Sequence, residues 1–419
     1  MRPPKTLLQI GPILSALGQH KIATALIVLQ VALTLAVASN ALFVVATRVV
    51  HLSRPSGTDE AHLFVIRNNW KNDQDPARID ANIRADLEAL RKVPNVRDVF
   101  SSEAFPLEGG WGVVTGLKLK ADQTARPKVA VIYFADEHAI DTLGISLIAG
   151  RNFHASEIAT MGRYGRVSAP VIIITNSLAG KLFADGSALG RTVYLPGGPA
   201  VIIGILKSLQ GPYAGSGATT RPFDEDNVLF PARSVDPEGL IYLVRTGSTD
   251  TVPTIKAALE TLSREGNARL IDPTDGVLTL VQARDRSYAT DRSVALMLSI
   301  ISGLLLLATA GGIVGLSSFW VSQRRRQIGI RRALGATAGD ILGYFHIENF
   351  LIVSGGIAVG SVLAIVANLS LMRFYGLARL PVSASLIGAL VLWLLGQMAA
   401  YGPARSAAKL PPVAAIRSG

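Results

Sequence analysis

The chain has 419 residues, 49% of them hydrophobic, a formal net charge of +11 and a mean hydropathy of +0.37. That balance excludes a purely water-soluble protein and calls for membrane spans beside a water-exposed region of domain size. There is no cysteine, which excludes disulfides, thiolate nucleophiles, zinc ribbons and iron–sulfur clusters, so any extracytoplasmic part folds by core burial alone.

The basic excess does not point to nucleic acid. The arginines gather beside apolar runs, where cytoplasmic retention of Lys and Arg explains them.

Residues 1–21 form a leader carrying Arg2, Lys5 and Lys21. Residues 22–47 follow without a charge and exceed the ~20 apolar residues needed to cross a bilayer. Ala36-Val37-Ala38 imitates a signal-peptide cleavage site. However, twenty residues precede the run and it continues through Phe43 and Val45, so it reads as a retained first span.

Residues 48–291 read as an α+β domain. Apolar, β-branched runs at 63–66, 129–134, 171–174, 201–206 and 241–244 predict strands, and 77–92, 177–183 and 252–264 predict helices. Gly and Pro are densest at 196–199 and 211–217, which places a soft boundary between two lobes near 211–221. From Val277 the pattern turns helical, with no Pro or Gly before Gly303. One continuous helix from there to Gln323 would be about 70 Å long at ~1.5 Å per residue, a stalk able to carry motion.

Within this domain Asp136-Glu137-His138, with Asp141 and His154 downstream, offers carboxylates and imidazoles of the kind that suit a divalent cation. Their spacing matches no compact ligand motif. The segment reads instead as the solvated start of a short helix with Asp136 as N-cap.

Residues 292–322 predict a second span, 323–340 a connecting loop, 341–371 a third span, 382–401 a fourth and 402–419 a tail. Arg324, Arg325, Arg326, Arg331 and Arg332 lie in the loop, and Arg405, Lys409 and Arg417 follow the fourth span. Only Arg373 and Arg379 separate the third and fourth spans. The positive-inside rule then puts both termini and the arginine loop in the cytoplasm and residues 48–291 outside.

Beside its arginines the loop carries Ile328, Ile330, Ala333 and Leu334, with Gly329, Gly335 and Ala336 completing the segment. A topogenic anchor needs charge only; the apolar face points to docking of a partner. Glu348 is the one carboxylate within a predicted span, with His346 nearby. We expect Glu348 to pair with a loop arginine or bond to a neighbouring helix, because an unpaired carboxylate is costly there. Gly311 and Gly315, and Gly356 and Gly360, have the spacing that lets helices approach closely in lipid.

No Gly-x-x-x-x-Gly-Lys-Ser/Thr occurs; Gly180-Lys181 is the nearest approach and lacks both loop and hydroxyl. Nor is there a Gly-x-Ser-x-Gly, a His-Glu-x-x-His or a pair of intramembrane aspartates. We expect a non-catalytic chain that binds no metal or cofactor.

These features together resemble the MacB/FtsX-type permeases of ABC transport systems. The loop RRRQIGIRRALGATAGDIL looks like the family's basic coupling segment, and PARSAAKLPPVAAIR, residues 403–417, looks like its C-terminal motif. Residues 13–33 resemble the family's amphipathic entrance to the first span. YFADEHAIDTLGISLIAGRNFHASE and VIIITNSLAGKLFADGSALGRTV resemble its periplasmic core pattern, through Leu143-Gly144, Gly150-Arg151, Asn176 and Gly190. Pro411 and Ala414 depart from the acidic residues usual at those positions.

The resemblance implies a multi-pass protein of the bacterial inner membrane, a permease subunit with no fused ATPase. A cytoplasmic ABC ATPase dimer, using ATP and Mg, would bind residues 324–336. A second permease copy or a paralogue would pair through the first and second spans. Periplasmic movement would drive export of a peptide, antibiotic or toxin, with a periplasmic adaptor and an outer-membrane channel as further partners. A lipoprotein-releasing permease, or an FtsX-like scaffold regulating a periplasmic hydrolase, are the alternatives.

Overall fold

A computed structural model describes residues 21–70, 75–107, 112–162, 168–213, 223–266, 269–375 and 379–409. The leader up to residue 20 and the C-terminal motif from residue 410 lie outside the described residues. The chain divides into two compact units, Ser53–Asp291 and the remainder on either side of it.

The first helix, α1 (Lys21–Leu52), is apolar along its length and belongs to the membrane unit. The inserted unit then runs in the order β1 (Leu63–Trp70), α2 (Pro76–Arg91), β2 (Val96–Ser102), β3 (Val113–Leu117), β4 (Lys128–Ala135), α3 (Ala139–Leu143), β5 (Leu147–Gly150), β6 (Ala159–Met161) and β7 (Val171–Thr175). It continues through α4 (Asn176–Leu182), β8 (Thr192–Leu195), β9 (Gly198–Leu206), β10 (Asn227–Ser234), β11 (Leu240–Thr246), α5 (Val252–Arg264), β12 (Arg269–Leu270), β13 (Val277–Thr279) and α6 (Leu280–Ser287).

Two sheets result. One runs β12-β1-β11-β2 with β13 also on β1; the other runs β3-β4-β10-β7-β9-β5, with β6 on β10 and β8 on β9. Successive side chains of a strand point to opposite faces, and here the central strands β1, β11, β4, β7 and β10 are covered on both faces over most of their length, which is why they read as near-continuous apolar runs. Phe64 and Ile66 face α2 and α5, packing with Ile79, Ile83, Leu87, Leu90, Ala258 and Leu262. Leu63 and Val65 face the other way into a core shared with Tyr133, Ile173, Leu206 and Leu229 of the second sheet. Beyond that sheet, Ile132, Ile172, Ile174, Val228 and Phe230 pack on Leu178 and Leu182 of α4.

Helix α2 shows why the local sequence folds as it does. The Asp75 side chain accepts the Ala77 amide at 3.1 Å, Pro76 occupies the first helical position, and the buried residues recur at helical spacing.

The predicted lobe boundary near 211–221 is corrected. Strands β9 and β10 flank it, yet both pair with β7 in the same sheet. The chain instead leaves the first sheet after β2 and returns to it at β11, and a shared core joins the two sheets. Glycine density does not decide sheet membership, which is set by pairing at long range.

The single helix predicted from 277 to 323 is also corrected. Val277–Thr279 is a strand on β1, and Thr279 then caps α6 in a capping box with Gln282. The helix breaks at Tyr288 (φ −95, ψ 3), whose side chain is fully buried. Helical periodicity does not register a one-residue break.

Helix α7 (Ala289–Gln323) begins at the end of the inserted unit and runs into the membrane unit, which continues with α8 (Arg325–Ala333), α9 (Ala338–Tyr375) and α10 (Val382–Ala408). With α1, helices α7, α9 and α10 are the four described helices long and apolar enough to span a membrane. They enclose Val31, Leu35, Ile313, Trp320, Ile352, Val353 and Leu392.

Candidate docking site at the basic connection

Helix α7 stops at Gln323, and Arg324 (φ −98, ψ 10) forms an elbow. Its amide donates to the Trp320 carbonyl at 3.0 Å, and its own carbonyl accepts the Ile328 amide at 2.9 Å, so both helix ends keep their hydrogen bonds through the turn. Helix α8 closes on Gly335 (φ 95), whose amide reaches the Arg332 carbonyl at 3.1 Å while Ala336 bonds the Arg331 carbonyl at 3.0 Å. That left-handed position is where a helix end favours glycine. Thr337 and Asp340 then cap α9 reciprocally, at 2.9 and 3.1 Å.

The elbow is anchored at three points. Arg324 Nη1 donates to both carboxylate oxygens of Glu348, at 3.0 and 3.1 Å, with Glu348 only 1% exposed. Arg332 Nη1 donates to the Ala408 carbonyl at 2.8 Å, tying α8 to the end of α10. Ile328 is buried among Val321, Ile341, Phe345, Ala404 and Ala407, and Gly329 is buried beside it.

The apolar face expected on this segment is therefore split. Residues two apart do not share a helix face, and Ile328 turns inward while Ile330, Ala333 and Leu334 stay exposed, Leu334 at 83%. Arg326 lies four residues before Ile330, on the same side. Arg325 is exposed as well, and the Arg331 guanidinium sits 4.9 Å from the centre of the Tyr344 ring. The cleft lined by Arg324, Gln327, Ile328, Arg331 and Tyr344 measures about 20 Å³, room for one water. What the segment presents is a protruding ridge edged with arginine, suited to a protein groove.

His346 bonds Gln397 at 2.8 Å, with its ring near Tyr401, and takes no part in the Glu348 pair. The glycine pairs behave differently. A Cβ on Gly356 would stand 2.6 Å from Val31 Cβ, and one on Gly360 would stand 2.8 Å from the Ala32 carbonyl oxygen, so α9 and α1 approach closely there. Among the described residues, a Cβ on Gly311 or Gly315 would meet nothing within 4 Å; their neighbour Gly312 faces Gln30 instead.

Sequence reasoning missed the polar staples between spans. Gln30 donates to the Ala308 carbonyl at 2.9 Å, Thr34 and Thr309 hydroxyls lie 2.7 Å apart, and Asn40 reaches the Ala364 carbonyl at 3.1 Å. For Gln30 and Thr34 the signal was two polar side chains four apart within an otherwise apolar run, and for Asn40 a single amide in the same run.

In the inserted unit, His138 Nδ1 lies 3.0 Å from Asp98 Oδ2, and His154 is apart from it in a capping box with Glu157. Among the described residues no three His, Asp or Glu side chains are placed to share a metal ion. Asp136 is not the solvated N-cap expected: it is 3% exposed, His138 holds the N-cap position, and Asp136 accepts the His138 amide at 3.0 Å. Burial pushes the Asp136 carboxyl up to about 6. The hydrogen bond to Asp98 holds the His138 imidazole above its ordinary value.

Two family descriptions match the chain: the MacB-like periplasmic core domain over residues 24–262 and the FtsX-like permease C-terminal region over residues 299–412. A macrolide export ATP-binding/permease protein MacB from Neisseria gonorrhoeae is 27% identical over 291 residues, covering 68% of this chain and 43% of that protein. MacB 1/2 of Paracoccus denitrificans is 28% identical over 371 residues, covering 87% and 51%. The pyoverdine export ATP-binding/permease protein PvdT of Pseudomonas syringae pv. tomato is 31% identical over 264 residues, covering 60% and 38%. The chain spans about half the length, or less, of these curated relatives.

Proposed function

The chain belongs to the MacB/FtsX-type ABC transporter permeases, and on that premise we propose that it is the membrane subunit of an exporter driven by a separate cytoplasmic ABC ATPase. The observation that carries the proposal is the exposed ridge of Ile330, Ala333 and Leu334 beside Arg325 and Arg326, on a helix tied to α9 and α10. Leu334, at 83% exposure, packs into no core among the described residues. A partner groove that buries it gains roughly 1.5–3 kcal/mol from that side chain alone.

In this reading ATP and Mg are bound and used by the partner and this chain is non-catalytic, which is supported by the lack of a Gly-x-x-x-x-Gly-Lys-Ser/Thr in its 419 residues. With the arginine connection in the cytoplasm, the Ser53–Asp291 unit lies in the periplasm of a bacterial inner membrane, and both termini are cytoplasmic. Two permease subunits, identical or paralogous, assemble on the ATPase dimer. ATP-driven closure moves α8, and the periplasmic units move in turn to expel the cargo through an adaptor and an outer-membrane channel.

Relatives named for macrolide and pyoverdine export favour a peptide, antibiotic or toxin as cargo.

Co-purification tests the reading. Leu334→Asp combined with Arg326→Glu is expected to insert normally in the membrane and to lose the ATPase from a detergent pull-down. Undiminished capture of the ATPase overturns the docking role.

A further inference from the structure

The chain passes from the membrane unit into the inserted unit after Leu52 and returns after Asp291. Any force delivered to the inserted unit through the backbone arrives at these two places. Inside the unit, the residues next to them are bonded to one another.

Arg284, in the outgoing helix α6, donates from Nε to Glu60 Oε2 at 2.6 Å and from Nη2 to Glu60 Oε1 at 2.7 Å. This is the fork-on-fork geometry that makes arginine–carboxylate pairs directional as well as strong. The same Nη2 reaches the Arg54 carbonyl at 3.0 Å, so one guanidinium holds the incoming segment at two places. Burial alone would raise the Glu60 carboxyl, but the bonds from Arg284 and Ser56 outweigh it and hold it below its ordinary value. The pair therefore stays ionised at neutral pH.

A second tie runs through Gln210, which is 3% exposed. Its amide donates to the Ser56 carbonyl at 2.8 Å, its side-chain oxygen accepts the Tyr288 hydroxyl at 3.3 Å, and its carbonyl accepts the Tyr133 hydroxyl at 2.8 Å. Ser56 is incoming, Tyr288 is outgoing and Tyr133 lies in β4, so one residue joins both crossings to the larger sheet. Tyr288 is also the break between α6 and α7, and the Arg284 guanidinium lies 5.4 Å from its ring centre. Gly57 (φ 86) brings the incoming backbone so near the Ser208 carbonyl that any Cβ would collide with it.

We propose that Glu60, Arg284 and Gln210 form a clamp that yokes the two crossings into one mechanical input and delivers it to β4. The three are positioning residues, each bonded to other residues of the inserted unit. The proposal rests on the reading that an ATPase drives this chain. It replaces the continuous stalk expected from the sequence with a jointed one, in which the break at Tyr288 is bridged from the side.

The test uses the full-length chain purified with its ATPase. The chain has no cysteine, so Lys120→Cys and Arg373→Cys at exposed positions take a fluorophore pair cleanly. Adding ATP is expected to change the energy transfer in this labelled background. Arg284→Gln is expected to lose most of that change while β4, β7 and β10 keep their hydrogen-exchange protection, and Glu60→Arg with Arg284→Glu is expected to restore it. A full ATP-dependent change in Arg284→Gln overturns the clamp alone, as does a folded charge swap that restores nothing. No ATP-dependent change in the labelled background overturns the mechanical reading and the clamp with it.

Discussion

Arg324 and Glu348 stand 24 residues apart in sequence and meet side chain to side chain, one at the elbow that starts α8 and the other inside α9. The pair is a hinge pin. It satisfies the carboxylate within a span and, by the same contact, ties the start of α8 to α9.

Breaking that pin from one side should be worse than removing it. Glu348→Ala leaves the Arg324 guanidinium, only 12% exposed, without its counter-charge, at a cost of about 3–5 kcal/mol for a buried pair. Replacing both partners by Met fills the space without an orphan charge, and should recover most of the loss. Thermal unfolding of the full chain in detergent is the measurement. A Glu348→Ala protein with unchanged melting that fails to transport would move the residue from scaffold to mechanism.

The arginines of the connection should separate into two groups. Arg332→Glu removes the bond to the Ala408 carbonyl and sets a carboxylate against it, so a fall of roughly 1–3 kcal/mol in stability is expected. Arg325→Glu points into solvent and should leave stability within about 0.5 kcal/mol while weakening ATPase capture. Equal melting losses for the two variants would contradict the division. Variants at Arg331 and Arg332 together mix packing with docking, since Arg331 also covers the Tyr344 ring.

The two glycine pairs invite opposite results. Gly356→Ala or Gly360→Ala would force a Cβ against α1 backbone or a β-branched side chain at 2.6–2.8 Å, and overpacking of that kind costs about 1–3 kcal/mol. Gly311→Ala and Gly315→Ala meet open space within the chain and should be neutral or gain up to about 1 kcal/mol in helix propensity. Melting in detergent distinguishes them. A loss at Gly311 or Gly315 confined to the assembled complex would locate that face at an interface between subunits.

How much of this was legible in the sequence depends on the range of the interaction. The spans and the run at 63–66 announce themselves, because apolar length and β-branched composition are local properties. That Glu348 would need a partner, a loop arginine or a group on a neighbouring helix, also follows from the cost of a lone carboxylate in hydrocarbon. Which of the five it takes does not, because the elbow at Arg324 exists only once Trp320 and Ile328 have bonded across it. Strands β3, β5, β6 and β8 are short, and their identity comes from partners far along the chain. Gln210 sits in a loop with nothing in its neighbours to distinguish it; its three partners at positions 56, 133 and 288 become visible only on folding. The misplaced lobe boundary has the same origin, since the return from β10 to β11 is a matter of register and leaves no compositional mark.

Stability of the inserted unit should depend on pH through two neighbouring groups. Burial raises the Asp136 carboxyl from 3.8 to about 6, so between those values the native state holds a proton that the unfolded chain has released. Stability associated with this group is therefore fully present below the unfolded value and falls as pH rises through the folded one. His138, held above its ordinary value by Asp98, acts in the same sense: its contribution is present below about pH 6.5 and is lost as pH rises through its folded value. Asp136→Asn keeps an oxygen to accept the His138 amide but never ionises. At about pH 7.5 it should be more stable than the parent by up to ~3 kcal/mol, because each tenfold difference in proton affinity between the folded and unfolded chain is worth about 1.36 kcal/mol, and the advantage should vanish near pH 4. His138→Gln should be less stable than the parent near pH 5.5 and similar to it near pH 8.5, well above the ordinary imidazole value. Urea unfolding of the full chain in detergent, followed by hydrogen exchange in β4 and β2, measures both. If the Asn variant has the same advantage at pH 4 as at pH 7.5, ionisation of Asp136 does not govern its cost, and the link between Asp98 and His138 is left as the pH-sensitive contact between β2 and the turn after β4.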